Sequence, residues 1–204
     1  MEFGFRSKIN RRKYKSYRGE VGKVAPNIIQ RNFVATKPNQ KWTTDVTQFN
    51  CPFGKAYLSP ILDMFNGEII AYNLSEHPNF DQVADMLHKA FFVHRNLTGL
   101  VLHSDQGWQY QNERWIELLK KHNVTQSMSR KGNCIDNCIM ESFFGVLKNE
   151  MFYDFEHTFK NFEDLKLAID QYIHYYNYHR LKKRINYMSP VQYRRKICAE
   201  ISLN

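Results

Sequence analysis

The stretch 100–150 carries most of the information about the fold; it opens with LVLHSDQG at 100–107 and closes with SRKGNCIDNCIMESFFGVLKNE at 129–150. Its apolar start, Leu100 to Leu102, is followed by polar and turn residues, which is typical of a buried strand. Asp105 would then lie at the carboxyl end of that strand, where open sheets place ligand and metal sites. Thirty-five residues separate it from Glu141, which lies in a segment with helical spacing. The pattern predicts two carboxylates that meet between a strand and a helix.

A third carboxylate, Asp45, interrupts the strand-like run KWTTDVTQF at 41–49. Two more apolar runs follow, at 55–65 and 68–74, and the Asn-Gly pair between them is a strong hairpin signal. Pro60 lies inside the second run and suggests an edge position or a bulge there. The first three strands are therefore expected to form an antiparallel meander.

The rest of the pattern alternates helices with short strands. Helices are predicted over about 81–94, 112–122, 136–151 and 162–179, and strands over 100–102 and 124–128. This order predicts an α/β fold with a mixed five-stranded sheet, three antiparallel strands then two parallel, flanked by helices. It is the strand order of the ribonuclease-H-like fold. If the first and fourth strands pair, Asp45 and Asp105 become neighbours.

The net charge of +9 is concentrated at one end of the 204-residue chain. Residues 1–41 contain eleven Lys or Arg and two acidic residues, so the remainder is neutral overall. A basic segment of this kind favours a polyanion partner, although a solvated arm that aids solubility is the alternative. We interpret 1–40 as a largely irregular basic arm or linker, 41–180 as the core domain, and 181–204 as a basic C-terminal tail.

Several classes of protein are excluded by the composition. No apolar run approaches the roughly 18 residues that cross a bilayer, and the polar N-terminus lacks the apolar core of a secretory signal. We therefore expect a cytoplasmic protein without a membrane segment. The four cysteines form no C-x-x-C pair, so free thiols are expected rather than disulfides or a zinc site.

Three carboxylates on two strands and a helix suit metal-dependent phosphodiester chemistry. Two Mg²⁺ ions about 3.5–4 Å apart can activate an attacking oxygen and stabilise a leaving oxygen, and Mg²⁺ prefers carboxylate and water ligands. Each acid alone also has a structural interpretation. Asp45 could cap a turn, and Asp136 could cap the helix that carries Glu141. Taken together, the positions favour a metal site.

Basic and amide residues around Glu141 are candidate DNA contacts. Helical spacing places Asn137 and Lys148 on its face, where they could touch a base or phosphate. Lys148 could instead pair with a nearby carboxylate. The loop residues Arg130 and Lys131 could close on DNA or form an ordinary connection. In the basic arm, the candidates are Arg11, Arg12 and Lys13.

Four motifs resemble those of bacterial insertion-sequence transposases of the IS-three family, which have a retroviral-integrase-type core. They are W-T-T-D-V-T at 42–47, H-S-D-Q-G-x-Q-Y at 103–110, S-R-K-G-N-C-x-D-N-x-x-x-E-S-F-F-x-x-L-K-x-E at 129–150, and Y-I-x-x-Y-N-x-x-R at 172–180 followed by S-P at 189–190. The resemblance covers about 19–195.

The resemblance implies a DDE transposase that cuts and joins DNA at insertion-sequence ends with Mg²⁺ or Mn²⁺. Asp45, Asp105 and Glu141 would be the metal-binding triad, and Lys148 would contact the terminal DNA of the element. Water would cut one strand at an element end, and the freed 3′-OH would attack a phosphodiester without a covalent enzyme intermediate. Family members act as multimers, so a homo-oligomer on DNA, associated with the nucleoid, is expected.

The chain departs from the family pattern before residue 40, where we find no helix-turn-helix. In the family these end-binding helices come partly from an upstream reading frame, so a helix-turn-helix partner protein is expected. Two alternatives remain open. One is a ribonuclease-H-like nuclease that only hydrolyses DNA, and the other is a truncated or catalytically silent remnant that retains DNA binding.

Overall fold

The computed structural model describes residues 22–202, in which six strands form one mixed sheet. The strands are β1 (Lys41–Thr44), β2 (Thr47–Cys51), β3 (Gly54–Asp63), β4 (Ile69–Ser75), β5 (Val101–Ser104) and β6 (Thr125–Met128). The α-helices are α1 (Phe80–Val93), α2 (Trp108–Gln111), α3 (Glu113–Lys121), α4 (Cys138–Met151), α5 (Phe162–Tyr178) and α6 (Pro190–Ser202). None of the helices in this range has the length and apolarity needed to cross a bilayer.

Strands β1 and β2 are two parts of one line of the sheet, which the sequence predicted as a single strand. Thr44 pairs with Ile61 and Thr47 pairs with Leu58, so both parts keep one antiparallel register with β3. In that register Asp45 falls opposite Pro60, which has no N–H to donate to the ladder. The sheet is interrupted at the residue whose carboxylate is a candidate ligand.

Pro60 does not lie on an edge strand, because β3 pairs with β1 and β2 on one side and with β4 on the other. The edge interpretation was therefore wrong. A register shift of the bulge kind does occur beside it, between Ile61 and Leu62. The predicted hairpin between β3 and β4 is present, with Gly67 in a left-handed conformation (φ 75°).

The parallel part of the sheet confirms the predicted strand order. β1 pairs with β5, with Trp42 opposite Leu102 and Thr43 opposite His103, and β5 pairs in turn with β6. Extending the β1–β5 pairing two residues beyond Thr43 and His103 places Asp45 opposite Asp105. The ribonuclease-H-like arrangement thus results from the line formed by β1 and β2 lying between β3 and β5.

Two hydrophobic clusters cover the two faces of the sheet. On one face α1 and α3 pack on Trp42, Ile61 and Leu102. On the other face α4 and α5 pack on Phe49 and Leu62. Ile61 and Leu62 point to opposite faces because successive side chains of a strand alternate.

The segment 22–40 contains no helix or strand, yet part of it follows the edge of the sheet. The N–H of Met128 donates to the carbonyl of Pro26, and the N–H groups of Ile28 and Ile29 donate to Ser127 Oγ. The Ile29 side chain is 4% exposed. Through these contacts, residues 26–29 of the arm cover the edge of β6 that faces away from β5.

The interpretation of 181–204 as a basic tail missed helix α6, which packs on the β3–β4 turn. Arg194 forms ion pairs of 2.6 Å with Asp63 and with Glu68, and the amide of Asn66 donates to the carbonyl of Pro190. Asp63 is fully buried. Part of the positive charge of this segment is therefore neutralised within the fold.

Candidate metal and nucleic-acid site

Asp45 and Asp105 follow directly after the parallel strands β1 and β5, and backbone N–H groups hold both carboxylates. The Val46 N–H donates to Asp45 Oδ1 at 2.7 Å, and the Gly107 N–H donates to Asp105 Oδ1 at 2.8 Å. A Cβ atom at position 107 would lie 2.9 Å from the same Asp105 oxygen. A larger residue at 107 would therefore require the Asp105 carboxylate to shift.

The electrostatics of the pair indicate a site that favours a cation. Burial, together with the charge of Asp105, raises the pKa of Asp45 to about 8, against the lowering effect of its hydrogen bonds. Burial also raises the pKa of Asp105. Two half-buried carboxylates side by side resist ionisation. A divalent cation relieves that cost because it compensates both charges.

Asn137 connects the start of α4 to the strands. Its Nδ2 donates to Asp45 Oδ2 at 2.8 Å. Its Oδ1 is buried and accepts no hydrogen bond from the described part of the chain. A buried amide oxygen without a donor is costly and is a ligand type that Mg²⁺ accepts.

Glu141 lies one turn further along α4 and its side chain is exposed. Its charge raises the pKa of Asp45, but less than that of Asp105 does. Within residues 22–202, no three His, Cys, Asp or Glu side chains come close enough together to hold a metal ion. The structure thus brings Asp45 and Asp105 together and leaves Glu141 outside the pair.

The residues present nevertheless suit a hard divalent cation. Asp45, Asp105 and the free oxygen of Asn137 are oxygen donors, and Glu141 lies on the next helical turn. No soft thiolate or imidazole belongs to the set, as Mg²⁺ or Mn²⁺ requires. Closing the set requires Glu141 to move toward the pair.

Tyr110 is a residue of the site that the sequence analysis did not single out. It is 1% exposed and packs on Trp115 at a centroid distance of 5.1 Å. Burial raises the pKa of its phenol, and the charges of Asp45 and Asp105 raise it further. A neutral, buried tyrosine therefore lies near the two carboxylates. Its place in the H-S-D-Q-G-x-Q-Y motif was the available signal.

Asp136 is 1% exposed and is not the helix cap that sequence allowed as an alternative. It lies inside a 3₁₀ turn, Cys134–Asn137, and its carboxylate binds two arginines. Arg130 donates through Nε and Nη2 at 2.8 Å each, and Arg31 donates through Nε at 2.9 Å. The Arg130 guanidinium holds the pKa of Asp136 far below its usual range.

A second set of contacts supports the same turn from beneath. His103 Nε2 lies 3.0 Å from the carbonyl oxygen of Asp136, and Nδ1 lies 2.9 Å from Ser127 Oγ. Because a carbonyl only accepts, Nε2 carries the proton and Nδ1 accepts from Ser127. Burial lowers the pKa of His103, so the ring is neutral. Strands β5 and β6 thereby hold the turn that precedes α4.

The remaining candidate DNA contacts are placed differently. Lys148 Nζ donates to the carbonyl of Gln48 at 2.8 Å and lies 5.2 Å from the centre of the Phe49 ring. It therefore binds the β2 backbone rather than a carboxylate. Lys131 is exposed in the loop. The arm residues Arg11, Arg12 and Lys13 lie outside the described residues.

Comparison with known proteins relates the chain to transposases. Two family models described as integrase core domain match residues 35–134 and 141–197. The chain is 51% identical over 193 residues to a transposase-like protein of Haemophilus influenzae, covering 94% of this chain and 87% of that protein. It is 51% identical over 186 residues to the putative transposase InsK for insertion sequence IS150 of Escherichia coli, covering 91% of this chain and 65% of that protein. It therefore spans less than two thirds of InsK.

Solved structures with the same fold are retroviral integrases. A simian T-cell lymphotropic virus intasome, in complex with a PP2A regulatory subunit, contains a chain with a TM-score of 0.68 and 15% identity. The match covers 86% of this chain and 60% of that chain. The HTLV-2 integrase catalytic core domain, in a trimeric form with magnesium, gives a TM-score of 0.63 and 16% identity, covering 78% of this chain and 99% of the other.

Proposed function

This chain belongs to the IS-three family of insertion-sequence transposases with an integrase core domain, and from that membership we propose how its own residues carry out DNA cutting and joining. Asp45, Asp105 and Glu141 hold two divalent metal ions, either Mg²⁺ or Mn²⁺. The DNA lies beside α4. The observation that carries the proposal is the meeting of Asp45 and Asp105 on adjacent parallel strands, with raised pKa values that a cation would lower.

The protein groups around the pair have separate tasks in this proposal. When bound, two metal ions activate the attacking oxygen and stabilise the leaving oxygen of a phosphodiester. The Gly107 N–H fixes one oxygen of Asp105, so its other oxygen remains for the ligand. Val46 and Asn137 each fix one oxygen of Asp45, and the second lone pair of each of these oxygens remains for the ligand. Tyr110 keeps water away from the inner side of the pair. Glu141 completes the set when α4 and DNA come together.

We propose DNA as the partner, both the ends of the element and the target, with several copies of the chain assembled on it in the cytoplasm. The intasome and the trimeric integrase core are assemblies of structurally similar proteins and support this expectation by analogy. Residues 22–40 contain no helix in the structure. On the resemblance to the family, we further propose that an upstream-encoded helix-turn-helix protein supplies recognition of the element ends.

The test is strand transfer by purified variants on pre-cut element ends, whose sequence is read from the DNA that flanks the coding region. Asp45→Asn, Asp105→Asn and Glu141→Gln should each abolish joining in Mg²⁺ or Mn²⁺, while the circular-dichroism spectrum stays that of the parent and each variant unfolds in one cooperative transition. Asp81→Asn and Glu117→Gln alter exposed helical acids and serve as matched controls that should join normally.

The same assay separates the alternatives. Joining by the Asp105→Asn protein at the parental rate would overturn the assignment of the carboxylates. Products from attack by water but never by a DNA 3′-OH would indicate a hydrolysis-only nuclease. Salt-sensitive DNA binding without any product, even with the upstream protein present, would indicate a silent remnant.

A further inference from the structure

Two arginines share one buried carboxylate beside the proposed metal site. Asp136, 1% exposed, accepts from Arg130 on both oxygens and from Arg31 on Oδ1. One guanidinium is enough to neutralise one carboxylate. The second arginine therefore leaves an excess positive charge, held in a fixed geometry.

Both arginines keep donors that face solvent. Arg31 uses Nε for Asp136 and Nη2 for Asn133, and Arg130 uses Nε and Nη2 for Asp136. Three of the five N–H groups of each guanidinium lie outside these bonds within the described range. The side chains are 42% and 56% exposed.

The exposed donors line a cleft. It has a volume of about 400 Å³ and is bordered by Asn27, Gln30, Arg31 and Arg130. The arm adopts an unusual backbone to form it, because Gln30 and Arg31 both have left-handed φ angles, 48° and 65°. Such a conformation costs non-glycine residues free energy. The Arg31–Asp136 ion pair and the Asn27–Asp136 hydrogen bond offset that cost.

The cleft lies next to the proposed reaction centre along the chain and in space. Asp136 directly precedes Asn137, whose amide binds Asp45. An anion bound by the two arginines would therefore lie beside the loop that opens α4. Paired guanidinium groups with free N–H donors match the oxygens of a phosphate.

We propose that Arg31 and Arg130, fixed by Asp136, bind a backbone phosphate of the DNA substrate next to the carboxylates. The inference rests on the proposed function, since DNA is the substrate there. It assigns a binding role to Arg31, which belongs to the N-terminal arm and lies upstream of the segment 35–134 that matches the integrase core. The arm is thereby part of the DNA site.

The test is DNA binding by the whole chain without metal, using a short fluorescein-labelled duplex and anisotropy at several salt concentrations. Each phosphate contact contributes about 0.9 to the slope of log K against log salt. Arg31→Gln and Arg130→Gln should each reduce the slope by up to that amount and weaken binding at low salt. Arg95→Gln, which changes an exposed arginine just after α1, should leave the slope unchanged. An unchanged slope in both cleft variants, with the fold intact, would overturn the proposal.

A second measurement needs no variant, in case loss of an arginine from Asp136 unfolds the chain. Phenylglyoxal modifies arginines, and mass spectrometry gives the extent at each position. DNA should lower the modification of Arg31 and Arg130, while Arg95 should react equally with and without DNA. If DNA changes the modification of none of the three arginines, the assignment is refuted. Protection of Arg31 and Arg130 by inorganic phosphate but not by DNA would assign the cleft to a free anion instead.

These outcomes are independent of the catalytic test. If the arginine variants keep the parental salt slope while Asp45→Asn and Asp105→Asn lose joining, the cleft assignment fails and the proposed function stands. If the arginine variants lose slope and the carboxylate variants join normally, the proposed function fails and the phosphate site stands.

Discussion

Ionising the buried carboxylates of Asp45 and Asp105 costs free energy that the hydrogen bonds of the fold do not fully offset. Backbone N–H groups and Asn137 bind their oxygens, yet the pKa of each remains raised: burial outweighs these bonds at Asp105, and burial together with the charge of Asp105 outweighs them at Asp45. The free protein therefore holds protons at the site that a cation would displace. Metal binding and proton release are expected to be coupled.

This coupling predicts a pH-dependent stability that Asp45→Asn removes. The pKa of Asp45 is 3.8 in the unfolded reference and about 8 in the fold, so the folded chain binds the extra proton between these values. The free energy of unfolding should therefore fall as pH rises from about 4 to about 8. Above pH 8 without metal, Asp45→Asn should be more stable than the parent by at least about 1.4 kcal/mol, the equivalent of one pKa unit.

Urea unfolding in EDTA at several pH values measures this difference. Asp81→Asn, an exposed acid, is the control and should track the parent at every pH. Adding Mg²⁺ above pH 8 should stabilise the parent more than the Asp45→Asn protein. A parent whose stability does not fall between pH 4 and 8 would contradict the raised pKa.

Sequence reasoning reached the carboxylate pair but not the role of Asp136. The pair could be predicted because strand patterns are local and parallel strands end at one edge of a sheet. Asp136 had a local interpretation as a helix cap, whereas its partner Arg31 lies far away in the chain. Residues 22–40 have no periodicity from which such a contact could be predicted.

At the scale of elements, α6 is anchored through a buried ion pair. Arg194 is 15% exposed and contacts both Asp63, which is fully buried, and Glu68. Removing the arginine would leave a buried carboxylate without its cation. Asp63 Oδ1 also accepts a hydrogen bond from the Phe65 N–H in the β3–β4 turn. Without Arg194 this turn would lose its main charged contact.

Arg194→Ala is therefore expected to destabilise the fold by about 3–5 kcal/mol, the usual cost of breaking a buried pair from one side. Arg195→Ala changes the exposed neighbour on the same helix and should alter the unfolding free energy by less than about 0.5 kcal/mol. Urea titration of both variants gives the two values. Equal stability of the two variants would show that α6 does not depend on this ion pair.

The elements themselves were predicted unevenly, for physical reasons. Amphipathic segments such as α1 and α5 could be found from their periodicity, and their observed bounds lie within about two residues of the predicted ones. Helix α6 was missed because its sequence begins with a proline after a basic run, and charge obscured the helical pattern. The break between β1 and β2 depends on Pro60 opposite Asp45, a pairing that only the sheet register reveals.

At the scale of the molecule, the described part of the arm belongs to the fold. Pro26, Ile28 and Ile29 cover the edge of β6, and Arg31 reaches the turn before α4. An exposed sheet edge invites pairing with other chains. Removing the segment would expose that edge and leave Asp136 with one arginine fewer.

Two truncated chains test this dependence. A chain that begins at Phe33 should be less stable than one that begins at Gly22 by at least about 3 kcal/mol, because it loses the burial of Ile29 and one side of the Asp136 ion pairs. It should also aggregate more readily through β6. Because the two chains differ only in residues 22–32, equal unfolding midpoints and equal light scattering would contradict a structural role for the arm.

The three carboxylates belong to two different parts of the fold, and this separation has a consequence for the host cell. Asp45 and Asp105 belong to the sheet, but Glu141 belongs to a helix packed on one face, where it is exposed and apart from them. Under the proposed function, the free chain would present two carboxylates rather than three to chromosomal DNA. If the third joins them only within an assembled complex, damage to the host would be limited, and mutations that hold α4 permanently toward the pair should be toxic to the host.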